Sequence, residues 1–119
     1  MSLKKRSRPW NLAIQDMIDH CESIIEYTQN IDFEYFQKNS LVFHATFRCF
    51  EVIGEATILV TEDIQVKYPE ISWQKIKNFR NLLIHEYFGI DKRVVFETAK
   101  NKIPELLELL LVIKTKENI

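Results

Sequence analysis

Apolar residues in the first part of the chain recur at three- and four-residue steps. Ile14, Met17, Ile18, Cys21, Ile24 and Ile25 share one stripe, the period of an α-helix and not the alternation of a half-buried strand. The spacing predicts a first helix from about Pro9 to Thr28. Asp32 then caps a short turn carrying Phe33, Tyr35 and Phe36, because its carboxylate can accept from the free amides of a helix start. A second long helix is expected from about Ser40 to Val60, burying Leu41, Ala45, Cys49, Val52, Ala56 and Leu59. Gly54 lies inside it, where glycine costs about 1 kcal/mol against alanine. Its presence there points to a neighbouring helix that approaches closely.

The run from Tyr68 to Trp73 is the clearest break. Pro69 biases Tyr68 away from helical geometry, and Ser72 is a suitable N-cap. A third long helix should run from Trp73 to about Tyr87, with Trp73, Ile76, Phe79 and Leu83 inward and Gly89 as the left-handed residue that ends it. Asp91 caps a last helix from Lys92 to about Lys114, kinked near Lys100 to Ile103 by Pro104. No segment sustains a period of two. The fold class is therefore all-α, an antiparallel bundle of four to five helices with a kinked last helix.

Composition narrows the function classes. With 119 residues the chain can bury one core, so residues 1–119 read as a single domain, with residues 1–9 a frayed basic N-terminus. Its Lys4, Lys5, Arg6 and Arg8 form the one basic cluster, read as solvated or as a phosphate-gripping arm. The formal net charge is -1, so an RNA-binding surface has to come from local arrangement or a second subunit. Cys21 and Cys49 belong to no metal or redox spacing and read as buried free thiols of a reducing compartment. No signal peptide or membrane span is read from the sequence, and the expected location is the cytoplasm.

The densest chemistry is the stretch Arg80-Asn81-Leu82-Leu83-Ile84-His85-Glu86-Tyr87. A guanidinium holds phosphate, an imidazole moves a proton near neutral pH, and a phenol accepts a transferred group. Arg80 and His85 are five residues apart, about 140° around a helix, so they do not share a face. Two copies meeting across a two-fold axis would bring two Arg and two His to one groove. There His85 could take a 2'-hydroxyl proton while Arg80 holds the charge building on the attacked phosphate, a reaction that needs no metal.

The bland account of the same residues is that cations suit the negative end of a helix dipole. His20 and His44 lack the spacing of a metal site and read as solvated or packed side chains. Arg48, Glu51 and Glu55 can line one helical stripe. That stripe is either a surface ion pair beside a solvated carboxylate, or a support that orients Arg80 or His85.

The ordered set of motifs resembles the HepT-like branch of the HEPN superfamily. It comprises Arg48-x-x-Glu51-Val52-Ile53-Gly54-Glu55-Ala56, Tyr68-Pro69-Glu70-Ile71-Ser72-Trp73, Arg80-Asn81-x-x-x-His85-x-Tyr87-Phe88-Gly89-Ile90-Asp91 and Asn101-x-Ile103-Pro104-x-Leu106, within about Asn11 to Leu110. The resemblance implies a helical bundle that forms a homodimer with a composite cleft. It implies a metal-independent endoribonuclease acting on RNA, with tRNA a candidate target and with Arg80 and His85 as the catalytic pair. Beside them, Asn81, Arg48, Glu51 and Glu55 are candidate supporting residues. It also implies the toxin of a type VII-like toxin–antitoxin pair. The partner it implies is a minimal nucleotidyltransferase antitoxin that moves AMP from ATP onto Tyr87, with no cofactor expected for this chain. The alternative is a non-catalytic dimeric adaptor that binds nucleotide and seats the nucleotidyltransferase. A purely structural helical dimer is the third reading.

Overall fold

Helix α1 (Trp10–Thr28) is the central element, packed between α3 (Ser40–Leu59) on one side and α7 (Ile103–Lys116) on the other. The computed structural model describes residues 8–119. Among these, the remaining helices are α2 (Phe33–Lys38), α4 (Glu62–Lys67), α5 (Trp73–His85) and α6 (Lys92–Asn101), with a 3-10 turn at Tyr87–Gly89 and no strand. The order across the bundle is α5, α3, α1, α7, with α6 seated against α1 and α7. The architecture is all-α, as the periodicity predicts.

The α1 stripe is buried through Ile14, Met17, Ile18, Cys21 and Ile24. Each fully buried aliphatic side chain of this size contributes roughly 1.5–3 kcal/mol. Facing it, α3 buries Phe43, Phe47, Phe50, Ile53 and Ala56. Of the face expected for α3, Cys49 and Ala56 are buried, Ala45 and Val52 partly so, and the two ends are not. Leu41 is 80% exposed and Leu59 36% exposed, because α3 packs against α1 and α5 at once and so buries two adjoining faces. One three-to-four stripe does not describe such a helix.

Asp32 accepts from Tyr35 N at 2.9 Å and Asp91 from Arg93 N at 2.8 Å, as capping residues do. Asn39, an unforeseen cap, accepts from Val42 N at 3.0 Å at the start of α3. Ser72 occupies the N-cap position of α5 without a side-chain hydrogen bond. No glycine among the described residues has a positive φ, so Gly89 does not end α5 in a left-handed conformation. The helix stops at His85 and tightens into the 3-10 turn, with Gly89 N donating to Glu86 O at 2.9 Å. The expected kink at Pro104 is a full break at Lys102. Pro104 then sits in the first turn of α7, where its missing N–H is of no consequence.

The α4 helix was also unforeseen. It leads to Tyr68, whose hydroxyl donates to Glu117 Oε2, while Lys67 Nζ lies 2.7 Å from the same oxygen. Trp73 Nε1 donates to Tyr68 O at 3.0 Å. The Tyr68–Trp73 break is thus tied to the end of α7, which fixes where α5 begins. Lys4, Lys5 and Arg6 lie outside the described residues. Arg8 is held rather than frayed, its guanidinium donating to Asp16 at 2.6 and 3.1 Å. No helix among the described residues is long and apolar enough to cross a membrane.

Candidate functional site

Three contacts set the register of α5 on α3. Phe47 meets Tyr87 edge-on at 5.4 Å, Phe50 meets Phe79 edge-on at 5.1 Å, and Gly54 meets Arg80. From Phe47 to Gly54 the partners fall from Tyr87 to Arg80, so the two helices run antiparallel. A Cβ at Gly54 would stand 2.2 Å from Arg80 Cβ and 2.5 Å from Cγ. The glycine is therefore what allows the Arg80 stem to lie across the α3 backbone.

That placement half-buries Arg80. Its Nε is buried with no hydrogen-bond partner, and Nη1 donates to Asn81 Oδ1 at 3.2 Å. A buried donor left unpaired costs about 1–3 kcal/mol, a cost that an incoming anion held by the outer guanidinium nitrogens would offset through charge. Asn81 is the one residue that holds the guanidinium by a hydrogen bond among the described residues.

His85 is the last residue of α5 and is exposed. Gln74, Asn78 and Asn81 share its outward face, whereas Arg80 points to α3. No hydrogen bond joins Arg80 to His85, and the two stand on different faces of α5. Tyr87 lies just past the helix end, its ring packed between Phe47 and Phe88 and the residue 44% exposed. The ring is thus seated on Phe47 yet keeps part of its surface open to solvent.

Arg48 lies 3.9 Å from Glu51 and 3.7 Å from Glu55, so these three form the expected stripe. Glu51 stands one turn before Gly54 and Glu55 directly after it, on the α3 edge beside Arg80. Their ion pairs are with Arg48, and none links either carboxylate to Arg80 or His85. As exposed pairs they contribute at most about 1 kcal/mol. His20 Nδ1 donates to Asp16 O and His44 Nδ1 to Ser40 O, each at 2.7 Å; both are occupied by their own helix.

On the opposite flank of α5, Phe50, Ile53, Phe79, Ile103 and Leu106 line an open groove of about 310 Å³. Glu70, Lys75, Lys102 and Glu105 stand on its rim, and neither Arg80 nor His85 lines it. Cys21 and Cys49 are free and buried, and burial, with the nearby Cys49 and Glu22 charges, pushes the Cys21 thiol up to about 12. Neither is a nucleophile at neutral pH. Two residues of the site were not foreseen in their roles: Phe47, which seats Tyr87, and Phe88, which is fully exposed. Phe47 is legible in hindsight as a position seven residues before Gly54, on the same helical stripe.

The ribonuclease HepT-like family model matches residues 17–113, which contain the whole α3–α5 arrangement. The chain belongs to this family. Among related proteins, "Putative RNase MJ1216" of Methanocaldococcus jannaschii is 42% identical over 93 residues, covering 78% of this chain and 77% of that protein. "Putative RNase TTE0752" of Caldanaerobacter subterraneus is 35% identical over 113 residues, covering 95% of this chain and 98% of that protein. "Probable ribonuclease HepT" of Thermococcus cleftensis is 39% identical over 93 residues, covering 78% and 84%. No solved structure matches the chain. For this HepT-like chain, the matched segment includes the Gly54–Arg80 contact, His85 and Tyr87, so the geometry above is that of a member of a ribonuclease family.

Proposed function

We propose that this chain is a metal-independent endoribonuclease whose working site is composite, with Arg80 from one protomer and His85 from another. The observation that carries the reading is the separation of these two side chains on one helix. Arg80 is drawn to α3 by Gly54, while His85 stands on the outward face at the helix end. A two-fold pairing of α5 helices brings the outward His85 of one copy toward the Arg80 edge of the other.

In that groove His85 takes the proton from a ribose 2'-hydroxyl. The 2'-oxygen bonds to the adjacent phosphorus and the bond to the 5'-oxygen breaks. His85 returns the proton, directly or through water, to the departing 5'-oxygen. The products are a 2',3'-cyclic phosphate and a free 5'-hydroxyl. Arg80, positioned by Asn81, holds the charge that gathers on the phosphoryl oxygens. Arg48, Glu51 and Glu55 fix the charge of the α3 edge beside it.

The same reading makes the chain the toxin of a type VII-like toxin–antitoxin pair, kept in check by a minimal nucleotidyltransferase. The Tyr87 oxygen attacks the α-phosphorus of ATP, pyrophosphate leaves, and the phenol proton passes to the partner enzyme. The exposed edge of Tyr87 supports this role, and the AMP phosphate then lies near Arg80 and His85 as a competitor for RNA. Cleavage of RNA in chelator, with light scattering for the dimer, tests the proposal. A chain that neither cuts nor pairs, yet seats the nucleotidyltransferase, would instead be the non-catalytic adaptor.

A further inference from the structure

Two residues flanking Tyr87 have no evident role in folding. Phe88 is 100% exposed, an unusual position for a large aromatic ring. Glu86 is the C-cap of α5, where the negative end of the helix dipole disfavours a carboxylate. Both belong to the 3-10 turn held by the Gly89 to Glu86 hydrogen bond of 2.9 Å, so they occupy a fixed corner.

The corner has a defined shape. Tyr87 meets Phe88 edge-on, with centroids 5.2 Å apart and an interplanar angle of 88°. Such a contact uses a ring edge and leaves a flat face of Phe88 open to solvent. Tyr87 is itself buttressed by Phe47. The Glu86 Oε2 lies 3.9 Å from where a Gly89 Cβ would stand, so the carboxylate reaches toward Gly89, at the same turn that carries the exposed ring. An open aromatic face next to an acceptor-only group suits a flat heterocycle that carries N–H donors on its edge.

We infer that Phe88 and Glu86 form a base-recognition subsite. Phe88 stacks on an unpaired RNA base next to the cleaved phosphate, and Glu86 accepts from the Watson–Crick edge of a base with adjacent donors, as guanine has at N1 and N2. The inference rests on the ribonuclease reading above and adds the substrate class: single-stranded RNA with an unpaired guanine near the cut. It also explains how a chain of net charge -1 selects RNA, since stacking does not draw on bulk charge.

Fluorescence anisotropy with labelled oligouridylates that each carry one guanosine, adenosine or cytidine tests this, using the full chain with His85→Ala to prevent cleavage. The guanosine oligomer should bind about tenfold more tightly than the others. Adding Phe88→Ala should weaken binding of all three by about tenfold, and Phe88→Trp should restore it. Adding Glu86→Gln should remove the guanosine preference while leaving the stacking contribution. Unchanged affinity in the Phe88→Ala protein overturns the inference, and if the wild-type chain still cuts RNA, the ribonuclease reading survives without it. Loss of the dimer in Phe88→Ala, seen by light scattering, would assign the ring to a protein contact and also overturn it. No RNA binding by the parent protein removes the ribonuclease reading and the subsite together.

Discussion

The side chain of Arg80 lies directly on the backbone of Gly54, so close that a methyl group there would stand 2.2 Å from Arg80 Cβ. Gly54→Ala tests what that contact does. Alanine is favoured over glycine in a helix by about 1 kcal/mol, but overpacking costs about 1–3 kcal/mol. The clashing atom is a Cβ, fixed to the α5 backbone and unable to swing aside, so the clash should win. The expected result is a lower melting temperature and a larger loss of RNA cleavage, because Arg80 moves with α5. An equal or higher melting temperature with full activity would show that the contact is slack.

His85→Ala should leave stability nearly unchanged, since the side chain is exposed at a helix end. Its cleavage rate should fall by on the order of a hundredfold or more, the usual effect of removing a general acid–base group. Arg80→Lys should also be poor, because one ammonium does not reproduce a planar fork on phosphate. Thermal melts and cleavage rates measured side by side separate the two effects. A His85→Ala protein that cuts at the wild-type rate removes the imidazole from the mechanism.

The helices and the chemistry were legible to different degrees, for physical reasons. The α1 stripe was readable because its residues face one core, and Gly54 because a glycine inside an apolar helix needs a packing reason. The α3 face was not, since a helix with neighbours on two sides has no single apolar stripe; hence Leu41 and Leu59. Gly89 misled because a 3-10 turn ends α5 without a left-handed residue. That Arg80 and His85 do not share a helix face follows from helical arithmetic alone. The hold of Asn81 on Arg80, the seat of Tyr87 on Phe47 and the open face of Phe88 depend on side-chain directions across elements, which spacing does not encode.

Tyr87→Phe keeps the ring that packs on Phe47 and removes only the hydroxyl. It should remain able to cut RNA while escaping neutralisation by the nucleotidyltransferase and ATP. Intact mass and peptide mapping after co-incubation check this. AMP on a different residue, or normal neutralisation of the variant, would take Tyr87 out of the role.

The clasp at the end of α7 gives a pH signature. Lys67 and then Tyr68, hydrogen-bonded to Glu117, hold its carboxyl below the ordinary value of 4.5. A carboxyl lowered in the folded state stabilises above its unfolded value, and that contribution is lost as pH falls through the folded one. The melting temperature should therefore drop below about pH 4.5, and Glu117→Gln should lessen this drop relative to wild type. The same contact raises Tyr68 and Lys67, so their contribution holds at neutral pH and is lost only in alkali. Matching acid profiles for wild type and Glu117→Gln would mean the clasp contributes nothing.

The composite site is tested most directly by mixing two inactive proteins, Arg80→Ala and His85→Ala, under conditions of subunit exchange. Random exchange makes half of the dimers mixed, and each mixed dimer retains one intact Arg80 and one intact His85 in opposite protomers. Activity should return to about a quarter of the wild-type rate, one working site in half of the dimers. A mixture that exchanges subunits, as seen by mass spectrometry, yet stays as inactive as either protein alone would contradict the account and confine the site to one chain.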